Sequence, residues 1–382
     1  SIPDAVGVFF QSPAGNVLHT GDFKLDQSPI DGVHTDFGAL AKFSKIGVDL
    51  MMSDSTNASN PTFTPSEAEV GKTLDSIISQ ATGRVIVASF ASHIHRMQQI
   101  CDAAVRNGRK VAVTGRSMVQ NTDIARRLGY LNIADKDLID AYDLKGCPSN
   151  SYVVMCTGSQ GEPLSALARI ANGNHKTISI EEGDTVIISA TPVPGNEKAV
   201  TKVINDLAKI GCDVFDKSRA RVHVSGHASA EELKLVLSIV QPKCFMPVHG
   251  EATHLRAHAR LAQVTGVQKN HIFICENGES LELTTRGVRR GESVPSGSIL
   301  VDGLSVGDTS EFILNERTNL GSQGVAVIAC AVSKKTHELI VPVQIEMHGI
   351  PGGDEPTFVE TVTNSVTSAI KRALSKQEEF KV

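Results

Sequence analysis

The fold class this sequence predicts is α/β, with largely parallel sheets. Three observations lead there. Short apolar runs such as RVIVASF, KVAVTG, SYVVMCTG and TVIISA recur, apolar throughout rather than alternating, as strands buried on both faces require. Amphipathic helical stretches separate these runs. Four polar residues, Asp22, Asp54, His227 and His249, stand just after apolar runs, where open α/β sheets gather their ligands.

The elements follow in order. AVGVFFQS and NVLHTGDF, separated by Pro13-Ala14-Gly15, read as a hairpin. VDLMMSD is a strand ending at Asp54. TPSE opens a helix, with Thr64 as N-cap, Pro65 at the first helical position and Glu67 closing a capping box. RVIVASF leads to a helix over about 94–107, and KVAVTG to a helix through DIARRLGYL. SYVVMCTG precedes PLSALARIA, and TVIISA precedes EKAVTKVINDLAKIG. RVHVSGH reads as a strand before AEELKLVLSIV, and CFMPVHG as a strand before THLRAHARLAQVTG. Residues 284–303 are rich in Gly, Ser and Arg without periodicity and read as a linker. Beyond them come a two-stranded hairpin with a Lys-rich turn and a final helix in EPTFVETVTNSVTSAIKRALSK.

At 382 residues the chain is long enough for two or three domains, and 41% hydrophobic with 21% charged residues is the composition of an ordinary globular protein. A net charge of −5 excludes a global basic field, and 4% aromatics with no Trp argue against a broad base-stacking platform. The seven cysteines form no C-x-x-C pair, so a reducing, cytoplasmic location is expected. The longest apolar run, GVAVIACAV at 324–332, is strand length, so no membrane span is expected.

A lone Asp after a strand is commonly a turn or cap residue, and a lone His a structural hydrogen-bonder. Four such residues together point to one shared metal or phosphate site. In SGHAS, Ser225 and Gly226 permit a tight turn, and Ser229 with Glu232 forms a capping box. His227 then sits at a helix N-terminus, where free N–H groups favour an anion. TGSQGEP is a second glycine-rich turn between strand and helix, and a weaker phosphate candidate.

HTGDFK, SDSTN, FTPSE, SFASHIHR, TGSQGEP, ISATPVPGNE, HVSGHAS and PVHGE, in this order, resemble the metallo-β-lactamase-fold nucleases of the β-CASP group, and within it the ribonuclease J family. The resemblance implies a partial metallo-β-lactamase (αββα) domain over 1–57 and 225–289. An α/β β-CASP insertion over 58–224 splits it, and a linker with a small α+β C-terminal domain follows over 290–382. Residue by residue, the resemblance makes Asp22 the metal-bridging aspartate and His249 the last metal ligand. Asp54 supports the metal shell, and His227 contacts the scissile phosphate and transfers protons. Ser225, Gly226, Ala228 and Ser229 match the loop around the substrate phosphate, and Ser159 and Gly161 the β-CASP side of the RNA channel. Arg96 of SHIHR is expected to meet RNA phosphate. His93 and His95 form an H-x-H pair, but Arg96 and Met97 break the family's H-x-H-x-D-H zinc signature, so packing or RNA-backbone contact is the expected role.

The implied function is RNA maturation and decay by phosphodiester hydrolysis, both 5′-to-3′ exonucleolytic and endonucleolytic. Its cofactor is zinc, two ions per site in the intact enzyme, with manganese or magnesium as substitutes. The implied assembly is a homodimer or homotetramer, with RNA-degradation complex partners. In the family H-x-H-x-D-H lies upstream of the SIPD run, and it does not occur in these 382 residues. The chain therefore reads as an internal fragment, expected to bind zinc weakly through Asp22 and His249 alone and to be inactive by itself. Two other readings stay open: a catalytically silent RNA-binding or scaffold relative, and a small-ester metallo-hydrolase, against which the insertion between Asp54 and His227 argues.

Overall fold

The computed structural model describes residues 5–193, 195–299, 301–302, 305–306 and 311–375. The opening SIPD, Pro194 of TPVPGNE and Gly303 lie outside the described residues. The chain divides into two compact units, Ser1–Val294 and Pro295–Val382.

The first unit opens with β1 (Val8–Ser12) and β2 (Gly15–His19), an antiparallel pair. Ser12 Oγ holds the turn between them, accepting the Ala14 N–H and donating to the Gly15 carbonyl. After α1 (Phe37–Ile46), β3 (Leu50–Asp54) adds to β2 in parallel. The chain then leaves this sheet through α2 (Glu67–Gln80).

It builds β4 (Val85–Ala88), α3 (Ile94–Arg106), β5 (Lys110–Thr114), α4 (Arg116–Arg127) and β6 (Leu138–Ile139). Next come β7 (Tyr152–Cys156), α5 (Ala166–Ala171), β8 (Thr185–Ile188), α6 (Glu197–Ile210) and β9 (Asp213–Phe215). These six strands form one parallel sheet in the order β6-β5-β7-β4-β8-β9. Its inner strands β4, β7 and β8 are buried at every residue because both faces are covered. Val87, Val111 and Met155 pack with α2, α3 and α4 on one side, and Ile86, Ala112 and Val154 with α5 and α6 on the other.

The chain returns through α7 (Ala230–Val240), β10 (Cys244–Val248) and α8 (Ala252–Val264). Strand β10 pairs with β3 in parallel, Val248 opposite Asp54, and completes the first sheet as β1-β2-β3-β10. Leu18 and Met51 share a core with Val236, Leu237, Phe245 and Ala262. The two ends of this unit thus fold on each other with the second sheet inserted between them, as the resemblance implies. A short antiparallel hairpin, β11 (Leu281–Thr284) and β12 (Gly287–Arg290), follows.

Three expectations need correction. Helix α2 starts two residues later than Thr64 as N-cap would require: Ser66 Oγ accepts the Ala68 N–H, and Thr64 is buried with its hydroxyl on the His227 carbonyl. RVHVSGH is no strand, because the Val222 carbonyl is taken by the side chains of Arg96 and Ser189 instead of a neighbouring strand. The expected linker includes the end of β11 and all of β12, whose Arg289 and Arg290 side chains pair with Glu282 and Glu279.

The second unit holds a two-residue pair, β13 (Val301–Asp302) with β14 (Ser305–Val306), and helix α9 (Glu311–Gln323). The antiparallel pair β15 (Val325–Ala329) and β16 (Gln344–His348) and the helix α10 (Pro356–Ser375) are the expected hairpin and final helix. Among the described residues, no helix is long and apolar enough to cross a membrane.

Candidate metal centre

Parallel pairing of β3 with β10 sets Asp54 level with Val248, so His249 emerges beside it. His249 adopts a left-handed φ of 55°, a conformation His tolerates better than branched residues do. Its carbonyl accepts the Ser55 N–H at 3.2 Å, which holds it there. Asp22 follows β2 by a tight turn: His19 Nδ1 accepts the Gly21 N–H at 2.9 Å, and Gly21 takes φ 62°. A Cβ at Gly21 would stand 2.6 Å from the Val6 carbonyl oxygen, so only glycine fits.

His227 arrives from the far side of the insertion. Its Nδ1 lies 2.7 Å from Oδ2 of Asp54, and the other Asp54 oxygen accepts from the Thr56 N–H at 3.0 Å and the Thr56 hydroxyl at 2.8 Å. Burial acts to raise the Asp54 carboxyl, but the bonds from His227 and Thr56 and the imidazole charge outweigh it, leaving it below the usual carboxylate range. The same bond lifts His227 above the ordinary histidine value, against the opposing effect of its own burial. An ionised Asp54 only accepts, so Nδ1 of His227 carries the hydrogen and Nε2 is left for the site.

One donor atom from each of Asp22, His227 and His249 lies within 4.8 Å of the others, the one such group found among the described residues. His249 Nδ1 is 3.3 Å from Asp22 Oδ1, and the two side chains are about half exposed (52% and 51%), open to solvent. Carboxylate and imidazole are donor types that zinc takes. An imidazole whose second nitrogen is held by a carboxylate is the usual arrangement around such ions. His227 therefore stands with its Nε2 free on the same open space as the two donors named from sequence.

Glu232 organises this site, and sequence reading gave it only a capping role. The capping box with Ser229 is present. The fully buried carboxylate also accepts the N–H groups of Leu25 at 2.7 Å and Thr64 at 2.7 Å, besides Ser229 at 2.8 Å. It thereby joins the Asp22 loop, the segment after Asp54 and the His227 loop. The Ala228 N–H donates to the Phe23 carbonyl at 2.7 Å, which ties two of those loops again.

Comparison with known proteins gives this geometry a family. Residues 82–207 match the ribonuclease J β-CASP domain, 217–275 the Zn-dependent metallo-hydrolase RNA specificity domain, and 312–381 the ribonuclease J C-terminal domain. The chain is 45% identical over 366 residues to ribonuclease J of Mycolicibacterium smegmatis, covering 96% of this chain and 65% of that protein. The chain belongs to the ribonuclease J family. It is 42% identical to ribonuclease J2 of Bacillus subtilis over 91% of its length and 63% of the relative's, and 45% identical to ribonuclease J of Thermus thermophilus over 86% and 57%. It spans just under two thirds of the length of the first two curated relatives.

Several ribonuclease J residues expected to meet RNA lie elsewhere. Arg96 is fully buried: its guanidinium pairs with Glu67 and donates to the Val222 carbonyl at 2.8 Å and to Ser189. It cannot reach a phosphate, and it anchors the chain's return from the second sheet. Ala228 and Ser229 are buried at 2% and 0% exposure, and the Ser229 hydroxyl accepts from Asn57 at 2.7 Å. Ser159 is buried at 3%, and Gly161 packs against α6, where a Cβ would stand 2.5 Å from the Ala199 carbonyl carbon. Packing occupies these four positions, so none offers a side chain to RNA. Ser225 and Gly226 remain at the surface beside His227, with the Ser225 hydroxyl accepting the His227 N–H at 3.0 Å. His93 caps α3 by accepting the Arg96 N–H, which is the packing role expected for it.

Proposed function

We propose that the intact protein is a zinc-dependent ribonuclease that hydrolyses phosphodiester bonds in RNA maturation and decay, from 5′ ends and internally. The observation that carries this reading is the convergence of Asp22, His227 and His249 on one solvent-open point, with Asp54 behind His227. Zinc, when bound, would lower the pKa of its water to about 7 and so supply hydroxide near neutral pH. In this reading Asp22 and His249 hold the ion, two ions sit at each site of the intact enzyme, and manganese or magnesium substitutes. Asp54 fixes the imidazole of His227 so that Nε2 faces the phosphate. With its pKa raised, His227 is protonated more readily than an ordinary histidine, so it can bind the phosphate oxygen and deliver its proton to the leaving oxygen. Ser225 and Gly226 shape the turn that receives the phosphate, and the fold divides as a lactamase part over 1–57 and 225–289, a β-CASP part over 58–224 and a C-terminal part over 290–382. Homo-oligomerisation, degradation-complex partners and a cytoplasmic location belong to the same reading.

The test uses zinc titration calorimetry beside cleavage of 5′-labelled RNA. Asp54→Asn should cost about 10–100-fold in activity through the misoriented imidazole. His227→Ala should retain zinc and lose cleavage. If zinc is lost with His227, that residue is a ligand instead of a proton donor. Full activity in Asp22→Ala would sink the reading.

A further inference from the structure

A cavity opens at the six-stranded sheet, apart from the cluster at Asp22. Strand β5 runs through Gly115 into α4 on one face, whereas its neighbour β7 runs into α5 on the opposite face. Adjacent parallel strands whose connections part to opposite faces leave a crevice at their carboxyl ends, where α/β sheets bind ligands. A cavity of about 1030 Å³ lies there, bounded by Thr114 and Gly115 at the end of β5, Thr157 after β7 and the residues following β6. Its size is that of a pocket for a small organic ligand. None of its lining residues belongs to the candidate metal centre.

The charge of the lining is one-sided. Arg116, Arg169 and Lys176 all border the cavity, and none makes an ion pair among the described residues. The acidic lining is weaker. Asp123 is paired with Arg127, and Asp140 accepts the Tyr142 N–H at 2.8 Å. Arg126 is taken by Asp135. Three cations therefore face the space against one carboxylate outside an ion pair. Hydroxyls lie beside them. His175 Nδ1 accepts the Ile178 N–H at 3.2 Å, so its Nε2 donates to Thr114 Oγ1 at 3.1 Å and leaves that hydroxyl's own hydrogen to point elsewhere. Thr157 and Thr177 also line the cavity. At the rim Tyr142 and Val119 are 74% and 49% exposed, offering an aromatic ring and an apolar wall.

We propose that this crevice binds a nucleoside monophosphate, with the phosphate on Arg116, Arg169 and Lys176, the sugar among the threonines and the base against Tyr142. Phosphate alone would leave most of the cavity empty, and an uncharged nucleoside would leave the three cations without a counterion. The site is independent of the nuclease reading.

The test is titration calorimetry on the chain carrying His227→Ala, so that phosphate held at the candidate metal centre does not contribute. The probes are uridine 5′-monophosphate, uridine and inorganic phosphate. The nucleotide should bind, and each of Arg116→Gln, Arg169→Gln and Lys176→Gln should weaken it about tenfold, the loss of one charge-assisted hydrogen bond. Arg116 and Lys176 are exposed, so their variants keep the fold even if Arg169→Gln does not. Inorganic phosphate binding as tightly as the nucleotide, uridine binding equally well, or unchanged affinity in the Arg116 and Lys176 variants would overturn the assignment.

Discussion

His258 shows how a buried residue can tie this protein's stability to pH. It is fully buried behind Asp54, with Nδ1 3.0 Å from the Ser55 hydroxyl. Ser55 donates its hydroxyl hydrogen to the Ser53 carbonyl, so it accepts from His258. Burial pushes this imidazole down to about 3, with Asp54 opposing only weakly. An unfolded chain would protonate it near pH 6.5, so from about 6.5 down to the folded value the unfolded state takes up a proton the folded one refuses. Stability is present above that window and is lost as pH falls through it, by about 1.4 kcal/mol per pH unit. His258→Gln should therefore reduce the loss between pH 7 and pH 5 by about 2 kcal/mol, measured by urea unfolding at each pH. Equal losses in variant and parent would show that His258 does not carry this dependence. Nothing in the sequence marks His258, which among the described residues is one of four ring or hydroxyl groups with a buried polar atom lacking a partner. Asp22, Asp54, His227 and His249 were legible because polar residues just after apolar runs are conspicuous. Arg96 misled for the opposite reason: a basic residue near a helix start looks solvated, and its partner Glu67 is 29 residues away.

Among the elements, the strands and most helices were legible from continuous apolar runs and amphipathic spacing. RVHVSGH deceived because Val222 and Val224 alternate inward as a strand would, yet the backbone finds side-chain partners. Helix α1 was missed, although Asp36 caps it by accepting the Ala39 N–H at 2.8 Å. The Glu232 junction was beyond reach for another reason: Leu25 and Thr64 lie 207 and 168 residues away in sequence, and no local pattern records such a pairing. Its energetic weight is testable. Glu232→Ala leaves three buried N–H groups without an acceptor, each costing about 1–3 kcal/mol, so a destabilisation of at least about 3 kcal/mol is expected in urea unfolding. A loss below about 1 kcal/mol would mean that water or a shifted loop replaces the carboxylate.

For the whole molecule, the division at Val294 and Pro295 predicts two separable units. Limited proteolysis should cut first within 291–299, an exposed stretch without regular structure after β12, and leave a resistant fragment ending near Val294. Cleavage spread evenly through both units would contradict that division. Within the first unit, the Asn57 side chain donates to the His227 carbonyl at 3.3 Å and Thr64 does so at 2.8 Å. The chain thus departs for the six-stranded sheet and returns from it at a single doorway. Asp22, Asp54 and His249 all stand on the near side of that doorway, and His227 stands on its threshold. A module hung from one closely spaced pair of attachment points can be lengthened, exchanged or reshaped without moving the residues it leaves behind. Descent with modification could therefore rework what the inserted sheet grips while the chemical cluster kept its geometry.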